Sequence, residues 1–214
     1  MKNHIILDFD ETIADTRGFN SETCFQAVVK YFPDIEREKV YELQHIARGR
    51  TLKDIYGYII HSHTSTQADD SFIEKVVNTS IDYQMNNLQN VNMFEGVEMF
   101  FQRATMAGKQ ISIVTNRDID SLMPILNSKG LTKYLSNIIS CIEIGALKPN
   151  PKAFEMILEK DKSTGRNYNH SDYIYIGDSD VDKTFAQNSG IDFLIVDQYM
   201  NDFMLFKHYI HVFA

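Results

Sequence analysis

The chain has 214 residues, 43% of them hydrophobic, enough for one large domain or for one domain carrying a sizeable insertion. Its formal net charge of −8 argues against non-specific binding to nucleic acid or to an anionic membrane. Two cysteines, Cys24 and Cys141, make no disulfide framework, and neither a signal-peptide pattern nor a bilayer-length apolar stretch is present, so buried free thiols in a soluble cytoplasmic protein are the expectation.

Ile5, Ile6 and Leu7 form an apolar run without alternation, as a parallel strand buried on both faces requires. The run ends in Asp8-Phe9-Asp10, two carboxylates that extended alternation sends to one side. So placed they repel, and they want a cation or a shared proton between them. Read alone, the pair also fits an Asp-rich turn.

Residues 20–90 then read as helical almost throughout. Ser21 is expected to cap a segment carrying Phe25, Val28, Val29 and Phe32, with Pro33 as its stop. Asp34 is expected to cap a second through Ile35, Val40, Leu43 and Ile46, broken by Arg48-Gly49-Arg50. Thr51 starts a third, with Ile55, Tyr56, Ile59 and Ile60 on its face. His61 to Gln67 reads as a polar loop, and Ala68-Asp69-Asp70 opens a long fourth helix to Leu88. Four helices without a convincing strand suggest a small helical subdomain.

From Glu95 onward helix and strand alternate. Val97, Phe100, Phe101 and Ala104 make a helix face that Gly108 ends, and Ile111 to Thr115 is a strand. The next helix runs through Leu122, Ile125 and Leu126, and Pro124 is expected to shorten or kink it. A strand at residues 138–142, a helix opened by Pro151, a strand at 173–176, a helix ending at Gly190 and a strand at 193–196 complete the series. This alternation predicts an α/β protein with a doubly wound parallel sheet and right-handed crossovers. Residues 1–16 and 93–214 would form a Rossmann-like core, and residues 17–92 an inserted helical cap above the carboxyl edge of the sheet. The apolar tail from Met204 to Ala214 fits packing on the sheet or contact with a partner.

Ligands of open α/β sheets bind beyond the carboxyl ends of the strands. Parallel strands bring Asp8, Asp10, Thr115, Asn116, Asp178 and Asp182 to that edge, with Lys148 just before a helix. At these residues the chain resembles the haloacid dehalogenase superfamily, in the phosphatase branch whose inserted helical cap is shared by phosphoglycolate phosphatases and β-phosphoglucomutases. Asp8-Phe9-Asp10-Glu11-Thr12 matches the first family motif, Thr115 the second, Lys148 with Pro149 the third, and Gly177-Asp178 through Asp182 the fourth.

The resemblance implies a Mg²⁺-dependent phosphatase acting on a small phosphorylated metabolite. Asp8 would be the nucleophile and form an aspartyl-phosphate, with Asp10 as acid and then base. Asp8 and Asp178 would hold the metal, with the backbone carbonyl of Asp10, and Asp182 would orient that shell or touch the metal directly. Thr115 and the N–H of Asn116 would hold phosphoryl oxygens, and Lys148 would offset the charge. Arg48 or Arg50 would grip a second anionic group of the substrate, unless both are solvated at a helix end. No nucleic-acid or membrane partner is expected, and the protein would be a monomer or homodimer.

The alternatives are a phosphomutase and a non-catalytic binding or regulatory protein. Asn20 stands where mutases of this type carry a hinge histidine, and Asp10 argues against dehalogenation. Lys53 is the nearest candidate for the cap lysine of phosphonate hydrolases, without a supporting pattern. Glu11 replaces a Gly common in relatives, and Glu95 a common Pro. His61 and His63 read as surface residues rather than a metal pair, and Asp180 as a helix first-turn acid.

Overall fold

The computed structural model describes residues 2–47, 50–64 and 68–197. Arg48 and the tail from Met204 to Ala214 lie outside the described residues. The chain divides into two compact units, one from residues 1–15 and 92–214, the other from residues 16–91. The first unit opens with β1 (His4–Leu7) and the short β2 (Ala14–Asp15). The second contains α1 (Arg17–Val29), α2 (Arg37–Ile46), α3 (Leu52–His63) and α4 (Asp70–Asn87). The first unit resumes with β3 (Asn92–Met93), α5 (Val97–Met106), β4 (Gln110–Thr115), α6 (Ile119–Ser128) and β5 (Asn137–Ser140). It continues with α7 (Lys152–Ser163), β6 (Tyr173–Gly177), α8 (Asp180–Ser189) and β7 (Asp192–Ile195).

The main sheet has the order β5-β4-β1-β6-β7, and every neighbouring pair is parallel. β1 sits at its centre, with Leu7 opposite Ile113 on one side and Ile176 on the other. Each residue of β1 is buried, which explains its unbroken apolar run. Ile6, Val114 and Tyr175 join Phe154 and Ile157 of α7 and Phe185 of α8 in one core cluster. Burying each such side chain contributes roughly 1.5–3 kcal/mol. β2 and β3 pair antiparallel, Ala14 with Met93 and Asp15 with Asn92, so the two chain crossings into the helical unit are tied together.

The helical unit has its own core, including Val28, Val40, Tyr56, Ile59 and Val76. Thr51 and Asp69 cap their helices, accepting from the N–H groups of Asp54 and Phe72. Two expected caps fall elsewhere. α1 begins at Arg17, so Ser21 lies inside it, buried and donating to Gln44 Oε1 at 3.1 Å. α2 begins at Arg37 after Glu36, and Asp34 lies outside it. His61 and His63 form the last turn of α3 rather than a loop, a place where histidine suits the helix dipole. Two residues apart on a helix, they do not face one another. α6 runs through Pro124, whose missing N–H costs one ladder bond without ending the helix.

A polar network closes the amino edge of the sheet. His4 Nδ1 is 2.6 Å from Asp161 Oδ2, and its Nε2 is 2.7 Å from Ser112 Oγ. Asn137 Nδ2 donates to the same Ser112 Oγ at 2.8 Å. Asp161 also accepts from Tyr173 OH and Arg166 Nε, each at 2.9 Å. The order Ser–His–Asp is that of a hydrolytic triad, but His4, Ser112 and Asp161 are all 0% exposed. Enclosed in this way, the network joins β1, β4, β5, β6 and α7 instead of meeting a substrate. Both cysteines are buried free thiols, and burial pushes Cys24 up to about 12 and Cys141 to about 11.

Candidate active site

Asp8 leaves the carboxyl end of β1 and is 7% exposed. Thr115 ends β4, Lys148 follows β5, and Asp178 follows β6. One oxygen each from Asp8, Asp178 and Asp182 lies within 4.8 Å of the others. Lys148 Nζ donates to Asp8 Oδ1 at 2.7 Å and to Asp182 Oδ1 at 2.6 Å. Four carboxylates, Asp8, Asp10, Asp178 and Asp182, thus face two cations, Lys148 and Arg117. Burial holds the Asp8 carboxyl well above the usual range; Lys148 opposes the rise, and Asp182, Asp178 and Asp10 add to it. Hard oxygen donors with an excess of negative charge fit a divalent cation such as Mg²⁺.

Asp182 is placed by its helix. In the first turn of α8 it forms a reciprocal capping box with Ser179, accepting from the Ser179 N–H through Oδ2 at 3.1 Å. Its Oδ1 accepts from Lys148 and from Tyr175 OH, the latter at 3.0 Å. Burial alone would raise this carboxyl, but Lys148, Ser179 and Tyr175 outweigh it and the net shift is downward. Gly177 permits the arrangement, since a Cβ there would meet Asp182 Cβ and Cγ at 2.5 Å. Lys148 is likewise opposed by burial, yet Asp8 and Asp182 hold its pKa above that of an ordinary lysine.

Three positioning contacts were not legible as such in the sequence. Tyr175 OH accepts from Lys148 Nζ at 2.9 Å and reaches Val114 O at 3.0 Å. Burial raises its pKa, with Asp182 and Asp8 adding to the rise, so the phenol stays protonated. The available signal was a polar tip within an apolar strand, which needs a partner when buried. Asn116 holds Lys148 by its backbone: the Lys148 N–H donates to Asn116 Oδ1 at 2.9 Å. Arg117 Nη2 lies 3.3 Å from Asp10 Oδ1, and its backbone N–H donates to Thr115 Oγ1 at 3.1 Å.

Glu11 is the one non-glycine among the described residues with positive φ, at 61°, and it is 2% exposed. Its N–H donates to Ala14 O at 2.8 Å, and the Ala14 N–H reaches back to Phe9 O at 3.1 Å. The turn after β1 therefore needs a left-handed residue, the conformation glycine adopts without penalty. In the helical unit Arg50 is exposed and its guanidinium lies 5.5 Å from the Tyr58 ring centroid. Lys53 pairs with Asp70 at 2.8 Å, and that hydrogen bond raises its pKa, opposite to what an imine-forming amine needs. His63 lies 3.8 Å from Asp34 rather than beside a metal-ligand set.

The fold and this edge of acids, threonine and lysine define a class. Residues 5–196 match the family model described as haloacid dehalogenase-like hydrolase, and the chain belongs to that family. A phosphoglycolate phosphatase of Rhodobacter capsulatus is 30% identical over 109 residues, covering 51% of this chain and 47% of that one. The alignment thus spans about half the length of that curated relative. A solved structure of a predicted phosphoglycolate phosphatase from Haemophilus somnus superposes with a TM-score of 0.79 at 18% identity, covering 91% of this chain and 84% of that one. A subfamily IA hydrolase structure from Geobacter sulfurreducens gives 0.66 at 19% identity, covering 91% and 86%. At these identities the structural matches speak to the fold.

Proposed function

We propose that this protein is a Mg²⁺-dependent phosphatase that hydrolyses a small phosphate monoester through an aspartyl-phosphate. The observation that carries the reading is the buried Lys148 ammonium between Asp8 and Asp182, within a set of three carboxylates whose oxygens lie within 4.8 Å. Mg²⁺ would be held by Asp8, Asp178 and the backbone carbonyl of Asp10, with Asp182 bracing the set, and would supply charge neutralisation. A carboxylate oxygen of Asp8 attacks phosphorus while the bond to the leaving oxygen breaks, and Asp10 gives that oxygen its proton. Asp10 then takes a proton from water as the water oxygen attacks the aspartyl-phosphate, releasing phosphate and restoring Asp8. The Thr115 hydroxyl and the N–H of Asn116 hold phosphoryl oxygens, and Lys148 keeps the nucleophile in place.

The curated relative's name supports 2-phosphoglycolate as the first substrate to try. Arg48 and Arg50 are the proposed contacts to a second anionic group; a preference for substrates carrying one supports that role. The test is phosphate release from a panel of phosphorylated metabolites that includes 2-phosphoglycolate. Turnover with Mg²⁺ that is lost in EDTA and recovered with added Mg²⁺ is expected. Full turnover in EDTA, or none on any substrate, would overturn the proposal.

A further inference from the structure

Arg117 lies two residues beyond the end of β4 and is 8% exposed. It is held from several sides. Its backbone N–H donates to Thr115 Oγ1, its Nη1 donates to Ser121 Oγ at 3.4 Å, and its guanidinium lies 5.7 Å from the Phe9 ring centroid. Ser121 is itself fixed by the cap of α6: its N–H donates to Asp118 Oδ1 and its Oγ to Asp118 Oδ2, each at 2.8 Å. A continuous path therefore runs from the helix cap through Ser121 and Arg117 to Asp10 Oδ1, at 3.3 Å.

The terminal torsion of an aspartate is broad, so a carboxylate near a substrate needs something to set its rotation. A guanidinium is a planar fork that can bond two partners in fixed directions, which a lysine ammonium does not reproduce. We propose that Arg117 is a positioning residue for Asp10: by tying Oδ1, it turns Oδ2 toward the leaving oxygen. This inference rests on the phosphatase reading and adds to it a residue that does not touch the substrate. In the first half-reaction the O–H bond of Asp10 breaks as the leaving oxygen gains that proton and its bond to phosphorus is lost. The electron pair of the O–H bond stays on Asp10, which is then the base for water.

Leaving-group basicity provides a readout that a merely structural role would not move. p-Nitrophenolate leaves with little help, whereas phenolate is more basic and depends more on a placed proton. Single-turnover cleavage of p-nitrophenyl phosphate and phenyl phosphate is compared for wild type, Arg117→Gln, Arg117→Lys and Ser121→Ala. General acids contribute about 10²–10⁴-fold, so Arg117→Gln is expected to slow phenyl phosphate at least about tenfold more than p-nitrophenyl phosphate. Ser121→Ala, which leaves the guanidinium in place, is expected to show the same bias at about two- to fivefold. Arg117→Lys should recover part of the Arg117→Gln loss. Thermal melting checks that each variant is folded, and Ser121→Ala carries the comparison if Arg117→Gln is not. Equal slowing of both substrates, or no slowing, overturns the inference while the phosphatase reading stands. A wild-type protein that cleaves neither ester brings down both.

Discussion

Asp8 shows how function strains a single residue. Its carboxyl titrates above its unfolded value, chiefly through burial and against the pull of Lys148, so the ionised form is penalised in the native state. A raised folded pKa means this penalty is absent below the unfolded pKa and grows as pH rises through it. Asp8→Asn should therefore raise the melting temperature of the metal-free protein at neutral pH, while abolishing turnover. Calorimetry and a phosphate-release assay on the same preparation check both halves. Gly177 makes the opposite point, because the restriction there is steric. Gly177→Ala places a Cβ 2.5 Å from Asp182, so the carboxylate must leave Lys148 and Tyr175. The expected cost is about 1–3 kcal/mol in urea unfolding, with a fall in kcat larger than any change in KM. Glu11 stands between these cases: its φ of 61° suits a glycine, and nothing in the structure explains why this chain has a glutamate.

At the scale of elements, the two edges of the sheet carry different polar networks. The carboxyl edge leaves carboxylates in excess, whereas at the amino edge His4, Arg166 and Tyr173 converge on the single carboxylate of Asp161. Burial alone would raise the Asp161 carboxyl, but His4, Arg166 and Tyr173 outweigh it and hold it below its ordinary value. A depressed folded pKa means its stabilisation is present above the unfolded pKa, near 4 for an aspartate, and is lost as pH falls through the folded value. Urea unfolding from neutral pH into that acid window should show the wild type losing stability faster than Asp161→Asn. At neutral pH the variant should be less stable by about 3–5 kcal/mol, because it leaves buried donors without their anion. The helix starts were legible where the capping residue is local, as at Thr51 and Asp69. They were misread at Ser21 and Asp34, because α1 and α2 are extended or shortened by packing around Val28 and Val40 rather than by a side-chain cap.

For the whole molecule, a ligand that binds only the folded state must stabilise it. Mg²⁺ at about one hundred times its dissociation constant should add roughly 2.7 kcal/mol, read as a higher melting temperature. Asp178→Asn, which removes a proposed ligand, should blunt that rise. No helix among the described residues is long and apolar enough to cross a membrane. The strand and helix alternation, the insertion after the first strand and the acids at Asp8, Asp10, Asp178 and Asp182 were readable from the sequence alone. Hydrophobic periodicity reports burial locally, and parallel topology then sends all strand ends to one edge. The contacts of Arg117 with Asp10, of Tyr175 with Lys148 and Asp182, and of His4 with Ser112 and Asp161 needed the tertiary structure. Each joins residues from different elements, and no local pattern in a chain encodes which distant side chain will meet a buried polar group.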